Sequence, residues 1–285
     1  MKASLSEIKK LAQLTLREKG FYSGEIDGIW GKISDAGFTQ YSNFLKSKGM
    51  KLGEDDAIFE DAGVSAISGV VVIDPGHGGT KKTGGSSSNN ATSASGVLEK
   101  TMTLSLAKLV RSELKALTAE IPGSKVTVHL TRNNDSNLGL VDRAQVAAKK
   151  KADVFVSIHY NGFNGAARGT ETWIFPESGG NLNPEEDRGL ATRVQAGMMT
   201  ALRRHDPNAK DRGVKDSKRL AVLRDVSLGN RRGEHATRAC LVECEFIDVP
   251  EVDRLLNTGP DAAQAMKDLA QGIAEGILQD LEANA

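Results

Sequence analysis

The sequence holds only two cysteines, Cys240 and Cys244, among 285 residues. Two cannot build a disulfide framework, and they read as small buried apolar residues of a chain made in a reducing compartment. Excess charge is missing too: 37 basic and 37 acidic residues give a formal net charge of zero. Bulk attraction to an anionic polymer, nucleic acid or cell wall, is therefore excluded as the main source of binding, and any such affinity must come from a local site. No apolar run approaches the ~18 residues that cross a bilayer, which argues against membrane insertion. The opening stretch, MKASLSEIKKLAQLTLREKG, breaks every apolar run with Glu, Lys, Arg or Gln and so lacks the apolar core of a secretory signal. The expectation is a cytoplasmic chain that reaches an outside target only on release. There is no internal repeat, and the peptidase signature His-Glu-x-x-His does not occur.

What remains is an ordinary globular composition, 39% hydrophobic and 26% charged, at a length that suits one large domain and a small module. Leu5, Ile8, Leu11, Leu14 and Leu16 recur at near-helical spacing, and Gly20 stops the run. The glycine-rich segment FYSGEIDGIWG follows, then a second helical stretch over 34–48. Residues 1–50 thus read as a helical module, small enough to be only marginally stable alone. Residues 51–68 set five acidic residues against Lys51 and read as an acidic linker.

From residue 69 to the end, strand and helix patterns alternate. Strands are read at VVVIDPGHGG (70–79), KVTVHLT, DVFVSIHYNG, GTETWIF, LAVLR and RACLVECEFID. Helices are read over 101–118, GLVDRAQVAAKK, 186–205 and 261–281. This alternation predicts an α/β domain, a sheet with helices on both faces. The segment TKKTGGSSSNNATSASG after Gly79 cannot bury apolar surface and reads as a mobile loop bordering His77.

Two strands end in a histidine, His77 and His159, and strand ends are where α/β sheets hold their ligands. Glu99 opens a helix, where the dipole alone favours a carboxylate. Glu243 and Glu245 lie in the last strand. Two histidines and a carboxylate, with a further carboxylate beside them, form a catalytic zinc set: three protein ligands, and a fourth position open to a water whose pKa falls to about 7. In a strand Glu243 and Glu245 share a face, so periodicity leaves the choice between them open. Asp74 either orients His77 or caps the turn after its strand. Asn161 and Arg224 are candidate substrate contacts, and His205 and His235, in charged surroundings, read as exposed.

Two resemblances follow from these strings. Gln13, Leu16, Gly20 and YSGEIDGIWG resemble the peptidoglycan-binding module of cell-wall hydrolases, a small three-helix bundle, over residues 5–48. The chain departs from that pattern at Ala12, Ser34 and Ser42. The resemblance implies wall contacts at Tyr22, Asp27 and Trp30, although Phe21, Tyr22, Trp30, Phe38 and Tyr41 serve equally well as a bundle core. In the rest of the chain, IDPGHGG, GVLEK, LTRNND, DRA, DVFVSIHYNG, RGTETW, RGVK, LAVLR and LVECEF occur in an order that resembles the zinc-dependent N-acetylmuramoyl-L-alanine amidases of the type 3 family, over about residues 70–282. That resemblance implies a twisted, mostly parallel six-stranded sheet flanked by helices. It implies one Zn²⁺ per chain on His77, Glu99 and His159, with Glu243 as the catalytic carboxylate. Glu245 stands where the family usually has Gly, and the spacing to Phe246 favours Glu243. The activity implied is hydrolysis of the amide between the lactyl group of N-acetylmuramic acid and L-alanine in bacterial peptidoglycan. A wall-binding module without a signal segment is similar to a phage endolysin. The competing expectations are a non-catalytic wall-binding relative and a zinc peptidase of the stem peptide.

Overall fold

The computed structural model describes residues 5–23, 26, 28, 32–48, 66–119, 121, 123–229 and 236–284. It divides into two compact units, Met1–Ala66 and Ile67–Ala285. Residues 51–65 of the expected acidic linker, together with Asp27, Trp30 and His235, lie outside the described residues.

The first unit holds, among its described residues, helices α1 (Leu5–Glu18) and α2 (Lys32–Ser47). Leu16, Tyr22, Tyr41 and Leu45 form its core, with Phe21, Ile26 and Phe38 packed against them. Buried Gln13 ties the inter-helix segment to α1: its Nε2 donates to Tyr22 Oη at 3.1 Å, and its Oε1 accepts from Gly28 N at 2.9 Å. Gly20 and Gly28 sit at φ 81° and 77°, a left-handed conformation that suits glycine. Tyr22 is only 8% exposed and its hydroxyl meets Gln13, so it serves here as a core residue.

The second unit is built on six strands: β1 (Ser68–Pro75), β2 (Lys125–Leu130), β3 (Val154–Asn161), β4 (Thr170–Ile174), β5 (Asp211–Asp216) and β6 (Arg238–Phe246). Their spatial order is β2-β1-β3-β6-β4-β5. The first four are mutually parallel, β4 runs antiparallel to β6, and β5 is parallel to β4. Among the described residues five α-helices complete the unit: α3 (Glu99–Ala119), α4 (Leu140–Lys150), α5 (Pro184–Arg203), the short α6 (Pro250–Asp253) and α7 (Ala262–Ala283). β1, β3 and β6 are almost continuously apolar and buried, as strands covered on both faces must be. α3, α5 and α7 pack together on one face. On the other, α4 and the segment 220–228 close over Val72, Phe155, Ala239 and Leu241.

LAVLR is not a strand. Residues 221–224 form a turn, and Leu220, Val222 and Leu223 pack into the apolar cluster under α4. The strand in its place is the polar DRGVKD, β5, an edge strand with no buried residue. An apolar run that caps a core and one that enters a sheet look alike in sequence, whereas an edge strand can stay polar because only one side of it pairs.

Candidate metal centre

β1 runs straight into Pro75 and Gly76, which end the strand and turn the chain at His77. His77 sits at φ 61°, a left-handed conformation that costs a non-glycine residue about 1 kcal/mol or more. Two buried arginines hold that turn. Arg143 Nη1 donates to Pro75 O at 2.7 Å and its Nη2 to His77 O at 2.7 Å. Arg132 reaches Pro75 O through Nε at 3.0 Å and Gly76 O through Nη2 at 2.8 Å. Thr103 Oγ1 also donates to Gly76 O, at 2.9 Å.

Asp74 completes the clamp. It accepts from Arg143 Nη1 at 2.8 Å, Thr131 Oγ1 at 2.6 Å and Ser157 Oγ at 2.7 Å. Burial alone would raise its pKa, but the Arg143 charge and these hydrogen bonds outweigh it and hold the carboxyl below its ordinary range. Asp74 therefore anchors the turn through Arg143 and does not bind the His77 ring.

The His77 ring is oriented by the polar loop. Its Nδ1 lies 3.1 Å from Ser87 O and 3.0 Å from Ser87 Oγ. A carbonyl can only accept, so Nδ1 is the donor in that contact and Nε2 is turned toward Glu99. That loop, expected to be mobile, is pinned: Ser86 and Ser93 are buried, Ala91 N donates to Glu99 Oε2, and Ser95 Oγ donates to Asp253.

Glu99 is the first residue of α3 and is buried. Its Oε1 accepts from Tyr160 N at 3.1 Å and lies 3.0 Å from His159 Nδ1 and 3.2 Å from His77 Nε2. Burial would raise its pKa, yet the neighbouring His159 and His77 imidazoles overcome this and keep it ionised far below its usual range. His159, near the end of β3, places its imidazole against Gly76, where a Cβ would stand 2.7 Å from the ring Nδ1. Only glycine at 76 leaves room for that ring. The two imidazoles meet edge to face with centroids 4.8 Å apart.

His77, Glu99 and His159 each offer a ligand atom, and these atoms lie within 4.8 Å of one another. His77 Nε2 is buried without a hydrogen-bond partner while facing the Glu99 carboxylate. That nitrogen and the Glu99 oxygen face each other across a gap where a shared cation would give the nitrogen the partner it lacks. Two imidazoles and a carboxylate are the donor set that zinc takes, with one position left for water.

Glu243 lies in register with His159 on one side and Glu171 of β4 on the other. Its Oε2 is buried and unpartnered, and burial, then the charges of Glu99 and Glu171, push its pKa well up. Glu245 has a different environment. Its Oε2 accepts from Gly169 N at 2.7 Å and Phe246 N at 2.9 Å, and its Oε1 accepts from Arg168 Nε at 3.2 Å. Asn161 Nδ2 donates to Glu171 Oε1 at 3.1 Å. Arg224 is exposed in the turn 221–224 and is not part of this cluster. His205, expected to be exposed, is half-buried and bonded to Asp268 at 2.8 Å. Ser87, Arg132, Arg143 and Glu171 belong to this site without standing out as site residues in the sequence. The strings LTRNND, DRA and RGTETW marked three of these positions, while nothing distinguished Ser87 within its loop.

Comparison with known proteins fits this geometry. The profile of the family described as N-acetylmuramoyl-L-alanine amidase matches residues 71–279. The chain belongs to this family. It is 32% identical over 215 residues to an endolysin of Bacillus phage SPP1, a match covering 75% of this chain and 67% of the endolysin. It is 32% identical over 238 residues to N-acetylmuramoyl-L-alanine amidase AmiA of Escherichia coli K12, covering 73% of this chain and 75% of AmiA. A match to an uncharacterised cell wall amidase of Bacillus anthracis spans only 35% of that longer protein. Among solved structures, an N-acetylmuramoyl-L-alanine amidase of Clostridium difficile 630 superposes with a TM-score of 0.60 at 27% identity, over 77% of this chain and 100% of the other. The catalytic domain of CwlV from Bacillus (Paenibacillus) polymyxa gives 0.56 at 28%, over 73% and 96%. The matched span is the second unit, which contains the whole cluster.

Proposed function

We propose that this amidase hydrolyses the amide between the lactyl group of N-acetylmuramic acid and L-alanine in bacterial peptidoglycan, with one Zn²⁺ held by His77, Glu99 and His159. The observation that carries the zinc is the orphaned His77 Nε2 opposite Glu99 Oε1. When bound, the ion supplies a Lewis acid and acidifies a water. The chain supplies the proton transfers. Among the described residues Glu243 has no ion-pair partner, and its buried Oε2 is free to take a proton from the attacking water and return it to the departing alanine amine. Arg132 and Arg143 keep His77 aimed through the backbone, and Ser87 orients its ring. Glu245 and Arg168 brace the segment that leads into β4.

The biological role we assign is lytic and endolysin-like, with the protein held in the cytoplasm of its host until it is released to the wall. The match to a phage endolysin supports this role. The test is release of dye from labelled peptidoglycan, with and without a chelator, followed by mass analysis of the products. Chelator-sensitive release of peptides bearing a new alanine amino terminus is the expected result. Absence of any release would leave a wall-binding protein, and cleavage within the peptide would make it a stem-peptide peptidase.

A further inference from the structure

Beyond Glu243 the same sheet face carries a charged group that the proposed chemistry does not use. Glu171 Oε2 accepts from Arg212 Nε at 2.6 Å and from Lys215 Nζ at 2.5 Å. One carboxylate between two cations leaves one positive charge over. Both cations come from β5, are 30% and 31% exposed, and are braced by aromatic rings: Arg212 lies 5.2 Å from the Phe246 centroid and Lys215 5.2 Å from that of Trp173. An ammonium has three donors, and Lys215 gives one of them to Glu171. Glu171 stands opposite Glu243, and β5 is the next strand out, so the surplus charge lies roughly two strand spacings, ~10 Å, from the Glu243 backbone. That span is about three residues of extended peptide.

We propose that Arg212 and Lys215 form a subsite for a carboxylate on the peptide side of the scissile amide, an inference that rests on the amidase reading above. The chemistry of the substrate selects the side. The muramic acid carries hydroxyls and an acetamide, and its own lactyl carboxylate is consumed in the bond to be cut. Negative charge near that bond therefore lies on the peptide. The leaving peptide runs from Glu243 across β4 toward β5, and its carboxylate meets the preorganised pair.

The test compares two substrates, N-acetylmuramoyl-L-alanyl-D-glutamate and the same compound with both carboxylates amidated. The zinc-loaded wild-type enzyme should show a KM about tenfold lower for the acid, the worth of one charge-assisted hydrogen bond. Lys215→Met, with its zinc content checked, should erase most of that preference by raising KM for the acid more than it lowers kcat. Lys215→Arg should keep the preference. Equal KM values for the two substrates in the wild type, or full preference retained in Lys215→Met, would overturn the subsite alone. If the wild type frees the alanyl peptide from neither substrate, the amidase reading falls and takes the subsite with it.

Discussion

Glu243 Oε2 is buried without a partner, whereas both oxygens of Glu245, two residues on, accept hydrogen bonds from the segment entering β4. The two substitutions should therefore separate. Glu243→Gln should keep the fold and the bound zinc and lose about a hundredfold or more in kcat. Glu245→Gln should leave kcat within a few-fold but cost about 1–3 kcal/mol in denaturant unfolding, because Gly169 N and Arg168 lose a charged acceptor. Elemental analysis of purified His77→Ala should find no stoichiometric zinc, and full occupancy would remove the ligand assignment. That His77, Glu99 and His159 come together was legible in sequence because a metal demands particular side-chain atoms, and those atoms stood at strand and helix ends. Ser87, Arg132 and Arg143 were not legible as parts of the site. They act on His77 through its ring nitrogen and through backbone carbonyls, and no side-chain pattern advertises where a carbonyl will point.

Most of the elements were foreseen from periodicity, since the strands at the centre of the sheet are largely apolar until their C-terminal ends and the helices amphipathic. The error came where those signals part company with position: LAVLR caps a core as a turn, and the polar DRGVKD pairs at the edge. The reversed direction of β4 and β5 was equally hidden, because the glycine-rich connection 162–169 carries no periodicity that sets a strand's direction. α5 and α7 meet at Gly197 and Gly272, so closely that a Cβ built on Gly272 would stand 2.7 Å from the Gly197 carbonyl carbon. Gly197→Ala gains helix propensity, but the overpacking should win. The expected outcome is a net loss of about 1–3 kcal/mol by denaturant titration, with the zinc content unchanged.

At the scale of the whole second unit, pH sensitivity should come from Asp187 as well as from the site. This buried carboxyl accepts from Ala239 N of β6 and from Asn181 and Asn183, with no cation against it among the described residues. Burial, helped by Glu186 and Asp280, pushes its pKa up to about 7 against the hydrogen bonds from Ala239 and Asn181. The folded state then holds a proton that the unfolded chain has released. This contribution to stability is complete below an ordinary carboxyl pKa of 3.8 and fades as pH rises from about 4 to 7, by about 4 kcal/mol at most. Thermal unfolding followed across that range should show the decline, and Asp187→Asn should flatten it. Asp74 works in the opposite sense: its lowered pKa makes its contribution present above 3.8 and lost as pH falls below. The turn that Asp74 anchors has a consequence in time. The left-handed His77 is already held by Arg132 and Arg143 through groups that need no ion, so on the zinc reading proposed above loading the site would be a ligand exchange and not a refolding. Zinc removed by a chelator should then rebind in one fast phase on stopped-flow mixing, with the circular dichroism spectrum unchanged, and a slow phase with a spectral change would overturn this.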